Sequence, residues 1–385
     1  MLGSVNMRKT KGFGLFGVII IIIITALVSS LATGVIMLNN SSVEPGNSNL
    51  ELSEDEDLQE FIEVYKALIE KYYEDIDKEK LLNAAKEGMS DYLGDKYTTF
   101  LGESEYEKIL DELSGTYDGI GITINNNRIV SVTLHSPAHE AGLLKNDIIL
   151  TVNDVNVENM NSTAIGNLIK NDENKVINLE IKRNEEILNF SVEKKELPTI
   201  TYYRINNTKI GYLYIKNFSE TLSTQVSKAL KELENEGITS LIIDVRDNAG
   251  GFLSAAEETA SLFLEKGKII YALQSNNNKY TYYDKTNEKK NYPIVVLMNN
   301  NSASAAEILA AALSESYGAT LVGEKTYGKG KVQQVVDSFK FTSAEWLTPS
   351  GVCIDGIGIS PDYNVIYSNS ENYDSQVDKA IELLQ

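Results

Sequence analysis

The alternation of apolar and polar positions divides the chain into stretches of different period. Residues 12–43 carry no charged side chain, and Gly12–Leu38 is almost wholly apolar, with six consecutive isoleucines at Ile19–Ile24. That length suffices to cross a hydrocarbon core of about 30 Å as a helix. Residues 39–50 are polar and read as a tether. Ser53 and Glu56 then form a capping-box pair. Leu58, Phe61, Ile62, Tyr65, Leu68, Ile69 and Tyr72 recur at helical spacing, one stripe of an amphipathic helix. A second helical pattern runs from Asp77 to Tyr92, and the pair is expected to be a packing or dimerisation arm.

The period shortens over residues 114–197. Short β-rich runs (Ile120–Ile124, Ile129–Leu134, Ile148–Val152, Val176–Lys182, Leu188–Val192) alternate with Gly and Asn turns, predicting a small β-rich module. From about residue 199 strands and helices alternate. Strands are predicted at Ile210–Ile215, Ser240–Val245 and Ile294–Asn299, and helices at Leu222–Leu233, Phe252–Leu264 and Ala303–Tyr317. That alternation predicts an α/β core. The Val377–Leu384 pattern adds a C-terminal helix.

Charge and composition narrow the chemistry. Lys and Arg number 35 against 55 Asp and Glu, a net charge of -20, which argues against a general nucleic-acid binder. A single cysteine, Cys353, excludes a disulfide framework and any cysteine-rich zinc site. Two histidines, His135 and His139, lie in the β-rich module, so a Ser-His-Asp triad would need that module to close over the α/β core. Arg8, Lys9 and Lys11 precede the apolar run and no acid appears before Glu44. By the positive-inside rule the N-terminus stays cytoplasmic and the rest is exported. The run exceeds a usual signal h-region and has no clear A-x-A site, which favours an uncleaved anchor over a cleaved signal peptide.

Three segments could carry chemistry. In Asn299–Ile308 a buried strand runs into a polar turn, and Ser304 stands where an alanine-rich helix begins. Ser304 and Glu307 read as a capping box, while a nucleophile at a strand-to-helix turn has the same pattern and gains the positive helix end. Gly323–Gln334 imitates a phosphate-binding loop but has Gly330 where Ser or Thr is needed, so that reading is rejected. It leaves Lys329 between two glycines, either a solvated turn lysine or a general base with a depressed pKa. Leu241–Phe252 ends a strand in Asp-Val-Arg-Asp before a Gly-Gly pair, an ordinary turn or one that presents a backbone N–H to a ligand.

Together these segments resemble the carboxyl-terminal processing proteases, exported serine peptidases with an embedded PDZ domain. Ser302–Glu307 is similar to their S-A-S-A-S-E motif, with Ala306 at the third serine. Thr326–Gln333 is similar to T-F-G-K-G-x-V-Q, and Asp244–Gly251 to D-x-R-x-N-x-G-G. Thr348–Gly351 and Gly356–Asp362 match two further signatures; Lys96 replaces the proline of D-P-Y-T near Asp95, and Val352 replaces a usual arginine. The resemblance implies Ser304 as nucleophile, Lys329 as base, Gln333 as the residue orienting it, and the Gly250 and Ala305 N–H groups as oxyanion hole. Tyr117–Gly121 resembles a PDZ carboxylate-binding loop, and Ser136–Ile149 the S-P-A-x-x-A-G-L-x-x-G-D-x-I signature with Asn146 for its glycine. Gly119, Ile120 and Gly121 would then hold a terminal carboxylate. Ile165, Leu168 and Ile169 would line the groove beside it, or simply pack the core.

The expected organisation is an α/β multidomain chain. It comprises a cytoplasmic tail (1–11), a transmembrane anchor (12–38), a linker (39–50), an N-terminal helical region (51–113) and a PDZ domain (114–197). A crotonase-like peptidase core (198–368) and a C-terminal helix (369–385) follow. The implied activity is hydrolysis of exported protein substrates with accessible C-terminal tails, at the outer side of the cell membrane, with no cofactor, metal or nucleic acid. The terminal helices point to homodimer contacts. A catalytically silent membrane-anchored PDZ scaffold and a hydrolase of non-peptide esters are the alternatives.

Overall fold

A computed structural model describes residues 55–102 and 115–385 apart from 134, 135, 277, 337, 371 and 372, together with 106, 109 and 113. The anchor and tether expected at 12–50, Ser53 and His135 therefore lie outside the described residues. Among the described residues no helix is long and apolar enough to cross a membrane.

The described residues fall into two units, divided between Leu82 and Asn83. In the first, α1 spans Glu56–Lys71 and is capped by Asp55, whose Oδ1 accepts from the Leu58 N–H at 3.0 Å. Glu56 is thus the first helical residue, and it cannot be the third-position partner of a Ser53 capping box. The expected apolar stripe is present but unburied, with Phe61 and Tyr72 about half exposed. The next helix, α2 (Lys78–Leu93), crosses into the second unit.

The second unit opens with a short strand, β1 (Thr99–Phe100), and then a β-rich module. Its strands are β2 (Thr116–Gly119), β3 (Ile122–Asn125), β4 (Arg128–Val132), β5 (Ile148–Val152), β6 (Val155–Asn156), β7 (Val176–Arg183), β8 (Glu186–Glu193) and β9 (Lys195–Pro198). They frame a five-residue helix, α3 (Pro137–Ala141), and α4 (Ser162–Asn171). The sheet order is β3-β4-β5-β7-β8 with β6 on β5, while β2 and β9 form a separate ribbon. Ile129, Ile149, Ile165, Ile177, Leu179 and Ile181 fill a core of the module's own.

The rest is an α/β sandwich. β10 (Ile200–Arg204) and β11 (Ile210–Ile215) lead to α5 (Leu222–Asn235), β12 (Ser240–Asp244) and α6 (Leu253–Ser261). A β13 (Ile269–Ser275) and β14 (Asn278–Tyr283) hairpin precedes β15 (Ile294–Met298), α7 (Ala305–Ala312), one π-helical turn at Leu313–Tyr317, and β16 (Thr320–Gly323). A long hairpin, β17 (Lys331–Val336) and β18 (Phe339–Leu347), is followed by β19 (Tyr363–Asn364) and α8 (Ser375–Leu384). The main sheet runs β10-β11-β12-β15-β16-β19, parallel from β11 onward. Leu241, Ile243, Ile294, Val296 and Met298 face the layer of α5, α6 and α7, whereas Ile242, Val295 and Leu297 pack with Ala380 of α8. Burial on both faces is why these strands are apolar without alternation. A second sheet, β1-β18-β13-β14 with β17 on β18, carries Trp346 into the same core.

Candidate active site

In a parallel sheet the chain segments leaving the carboxyl ends of neighbouring strands converge on one edge, where ligands bind. Here those segments follow β11, β12, β15 and β16, and they bring Phe218, Gly250, Ser304 and Lys329 to that edge. Hydrogen bonds lock the segments together. The Ser302 hydroxyl donates to the Val245 carbonyl at 2.8 Å, and the Ala303 N–H donates to the Asn248 carbonyl at 2.9 Å.

Ser304 begins α7 with φ +56° and ψ −118°, a backbone conformation that costs a non-glycine residue on the order of 1–3 kcal/mol. An ordinary N-cap sits in the extended region and binds a helix N–H through its side chain. Ser304 departs in backbone, and its partly exposed hydroxyl faces the Glu307 N–H as one arm of the expected capping box, outside the geometry of a standard cap hydrogen bond. The Glu307 arm of the box is formed, with the Ser304 N–H donating to Glu307 Oε2 at 2.8 Å.

Glu307 does more than cap. It is fully buried, and its Oε2 also accepts the Lys329 N–H at 2.9 Å. Its Oε1 accepts the Thr326 hydroxyl at 2.5 Å and the Gly328 N–H at 2.8 Å. One carboxylate oxygen thus joins the backbones of Ser304 and Lys329. The Gly356–Asp362 segment buttresses the lysine turn from behind. Gly356 N–H donates to the Gly328 carbonyl at 2.9 Å, and Thr326 exchanges hydrogen bonds with Ile359. A side chain at Gly358 would collide with the Thr326 carbonyl, which explains the glycine there.

Lys329 is half-buried, and its carbonyl accepts the indole N–H of Trp346 at 2.8 Å. Burial, chiefly, and the nearby charge of Lys340 hold its ammonium below the ordinary lysine range, while Glu307 pulls the other way. Among the described residues no hydrogen bond joins Ser304 Oγ to Lys329 Nζ. Gln333 follows a bulge between Val332 and Gln333 in the β17–β18 pairing, and its buried Nε2 has no partner. Bulges re-aim side chains beside active sites.

Gly250 abuts the serine: a Cβ there would lie 2.8 Å from Ser304 Cβ and 3.1 Å from the Ala305 nitrogen. Its own N–H is already engaged, donating to the Asn248 Oδ1 at 2.8 Å, so it does not face a substrate in this arrangement. The Gly250 carbonyl accepts the Phe218 N–H at 2.9 Å. Because that peptide is trans, the Gly251 N–H points away from Phe218. Ala305 is the first residue of α7, so its N–H has no carbonyl one turn earlier in the helix.

In the β-rich module Gly119 ends β2, and Ile120 and Gly121 link it to β3, all three buried. The Ile120 and Gly121 carbonyls are tied back to Ala138 and Thr133 N–H groups at 2.8 Å. Gly121 has φ +84° and no room for a side chain against Ser136. Beside them β3 is an end strand of its sheet. Ile165 and Ile169 take the packing reading, 0% and 6% exposed in the module core, because positions four apart on α4 share its inward face. Leu168 is only partly buried. His139 is exposed on α3.

Sequence reasoning missed three residues that organise the site. Glu307 was credited only with the local cap, Asn248 stood unremarked inside a motif, and Trp346 offered no signal beyond being the sole tryptophan.

Comparison with known proteins agrees with this layout. The model of peptidase family S41 matches residues 209–365, a PDZ domain model matches 128–183, and the model of the activating protease CtpB N-terminal domain matches 26–104. The chain is 33% identical over 353 residues to carboxy-terminal processing protease CtpA of Bacillus subtilis (strain 168), covering 89% of this chain and 75% of that protein. It is 32% identical over 333 residues to carboxy-terminal processing protease CtpB of the same organism, covering 82% and 69%. The fold is similar to that of a photosystem II D1 C-terminal processing protease, with TM-score 0.51, 24% identity, and coverage of 84% and 90%. A PDZ module followed by an S41 peptidase core, matched over most of the length of two such relatives, makes this chain a serine-type peptidase that belongs to the carboxy-terminal processing protease family.

Proposed function

We propose that the chain is a membrane-anchored exported endopeptidase that captures C-terminal tails on its PDZ domain and cuts with a Ser304/Lys329 dyad. The observation that carries the dyad is the shared oxygen of Glu307, which accepts both the Ser304 and the Lys329 N–H. Two backbones so joined keep nucleophile and base within one side chain's reach of each other.

Neutral Lys329 takes the Ser304 proton as the hydroxyl attacks the scissile carbonyl, the Ser–Lys form of triad logic. The Ala305 N–H and the glycine turn at Gly250 hold the oxyanion, Gly251 offering the outward N–H until the Gly250 N–H leaves Asn248. Lys329 then protonates the leaving amine, and water activated by the same lysine hydrolyses the acyl-enzyme. Gln333 orients the amine through the amide that now lacks a partner. The free edge of β3 pairs with the tail as an added strand, its carboxylate meeting the Gly119–Gly121 loop. The apolar run at 12–38, with Arg8, Lys9 and Lys11 before it, anchors the chain with this part outside the cell.

The test is degradation of an unfolded reporter with an apolar C-terminal tail by the full-length chain, beside Ser304→Ala and Lys329→Ala. Both variants should retain the fold and lose cleavage by at least about 10²-fold. Near-native cleavage by Lys329→Ala removes the dyad. Equal cleavage of a reporter whose C-terminus is amidated removes tail capture.

A further inference from the structure

The Asp95–Thr98 turn has no part in the steps above, yet it is fixed against the lysine segment. Asp95 Oδ2 accepts the Thr98 hydroxyl at 2.7 Å and also the Thr342 hydroxyl, and Oδ1 accepts the Tyr97 N–H at 3.1 Å. The Thr342 N–H donates to Thr98 Oγ1 at 3.2 Å. Thr342 belongs to β18, as does Trp346, whose indole holds the Lys329 carbonyl. One strand therefore fixes both the turn and the lysine. Across the gap, Lys329 Nζ lies 5.4 Å from the centre of the Tyr97 ring, within the range of attraction between a cation and an aromatic face. Among the described residues Lys329 Nζ has no hydrogen bond or ion pair, so the ring is its polar neighbour at rest.

We propose that Tyr97 is a positioning residue for the reaction: its ring stabilises the ammonium form of Lys329 and sets the pH at which the lysine becomes a base. The assignment rests on Lys329 being the base. Burial opposes the ring by disfavouring the charge. The charged or titratable groups around the lysine and the ring include Lys340 and Glu345 from β18, Glu307 from α7, Lys331 from β17, Asp95 and Lys96 from the Tyr97 turn, and Tyr327 and Asp355 beside the lysine turn itself. Exchanging the ring leaves all of them in the chain. Lys96 lies 4.7 Å from the same ring and carries its own charge there, so the ring serves two cations.

The experiment uses the full-length protein with Tyr97→Leu, Tyr97→Trp and Tyr97→Phe, and two readouts. The first is the proton affinity of Lys329 itself, from pH-dependent labelling by an amine-reactive reagent with mass spectrometry of the Lys329 peptide. The second is the rising limb of kcat/KM against pH on the tailed reporter. Leucine keeps the apolar cover but removes the ring, so the labelling pKa should fall by roughly half to one and a half units. Tryptophan, the stronger partner, should move it upward, and phenylalanine should leave it in place. The two signs keep the test alive if one variant does not fold, as judged by Trp346 emission (corrected for the added indole in Tyr97→Trp). An unchanged labelling pKa in the folded Leu or Trp variant overturns the proposal, as does a rise with leucine, which would make water exclusion the ring's role. A labelling shift without a matching limb shift upholds the Tyr97 effect and removes Lys329 as the base.

Discussion

Replacing Glu307 by Gln tests whether one carboxylate assembles the site. The carboxylate accepts four hydrogen bonds, from Ser304 N–H, Lys329 N–H, Gly328 N–H and the Thr326 hydroxyl. An amide can keep one oxygen on one pair of donors and must turn its NH2 toward the other pair. The less damaging orientation puts the NH2 toward Thr326 and Gly328, because the threonine hydroxyl can rotate and accept. The Gly328 N–H is then left buried without a partner, which costs about 1–3 kcal/mol, and the two remaining bonds lose their charge assistance. The sum is about 2–4 kcal/mol, with the lysine turn pushed off the serine. A displacement of this kind costs on the order of 10²-fold in rate. Trp346, the sole tryptophan, is buried and bonded to the Lys329 carbonyl, so its fluorescence reports unfolding of this region. The variant should unfold at lower denaturant and lose about 10²-fold in plateau kcat/KM. Its rising pH limb should also move to lower pH, because the Glu307 charge raises the proton affinity of Lys329. A variant with the wild-type denaturation midpoint, plateau rate and limb would refute the clamp.

Three further outcomes follow from named contacts. Gly250→Ala places a Cβ 2.8 Å from Ser304 Cβ at φ +104°, so single-turnover acylation should fall by at least about 10²-fold while tail binding is unchanged; normal acylation would clear the glycine of any role beside the serine. Asp147 is 1% exposed, paired through both oxygens with the partly exposed Arg183, and accepts the Leu144 N–H, so Asp147→Ala should destabilise the PDZ module by about 1–3 kcal/mol. Hydrogen exchange would then rise across β3–β8 with the Trp346 transition unmoved. Lys329 has a depressed pKa in the folded chain, so the unfolded chain binds the extra proton and stability rises with pH between that folded value and about 10.4. Denaturation midpoints of wild type and Lys329→Met should therefore converge as pH climbs through this window; a constant difference would mean the buried ammonium carries no penalty.

What could be read from the sequence was what local chemistry decides alone. The buried strands Ser240–Asp244 and Ile294–Met298 were legible because burial on both faces leaves no polar alternation, and the turns after them carried the chemistry. The β17–β18 hairpin is harder to read, because Lys331–Val336 carries no two-residue period and only Trp346 and Leu347 at the end of β18 are buried. The Ser304–Glu307 pair was legible as a cap, and that sufficiency hid the larger role: three of the donors to Glu307 come from Thr326, Gly328 and Lys329, which local spacing cannot place. The same limit explains the PDZ helix, where spacing marked Ile165, Leu168 and Ile169 as one stripe but not which of them faces the core. At Gly250 the glycine pair was visible and the direction of its N–H was not, because Asn248 decides that direction through a side-chain bond two residues away. Three resting features bear on the proposed mechanism. The Gly250 N–H rests on Asn248, Lys329 rests near Tyr97, and the Gln333 amide has no partner. On the proposed dyad reading, cleavage requires the Gly250 N–H to leave Asn248 and the Lys329 amine to reach Ser304 Oγ, changes of one peptide and one side chain and not of the elements that carry them.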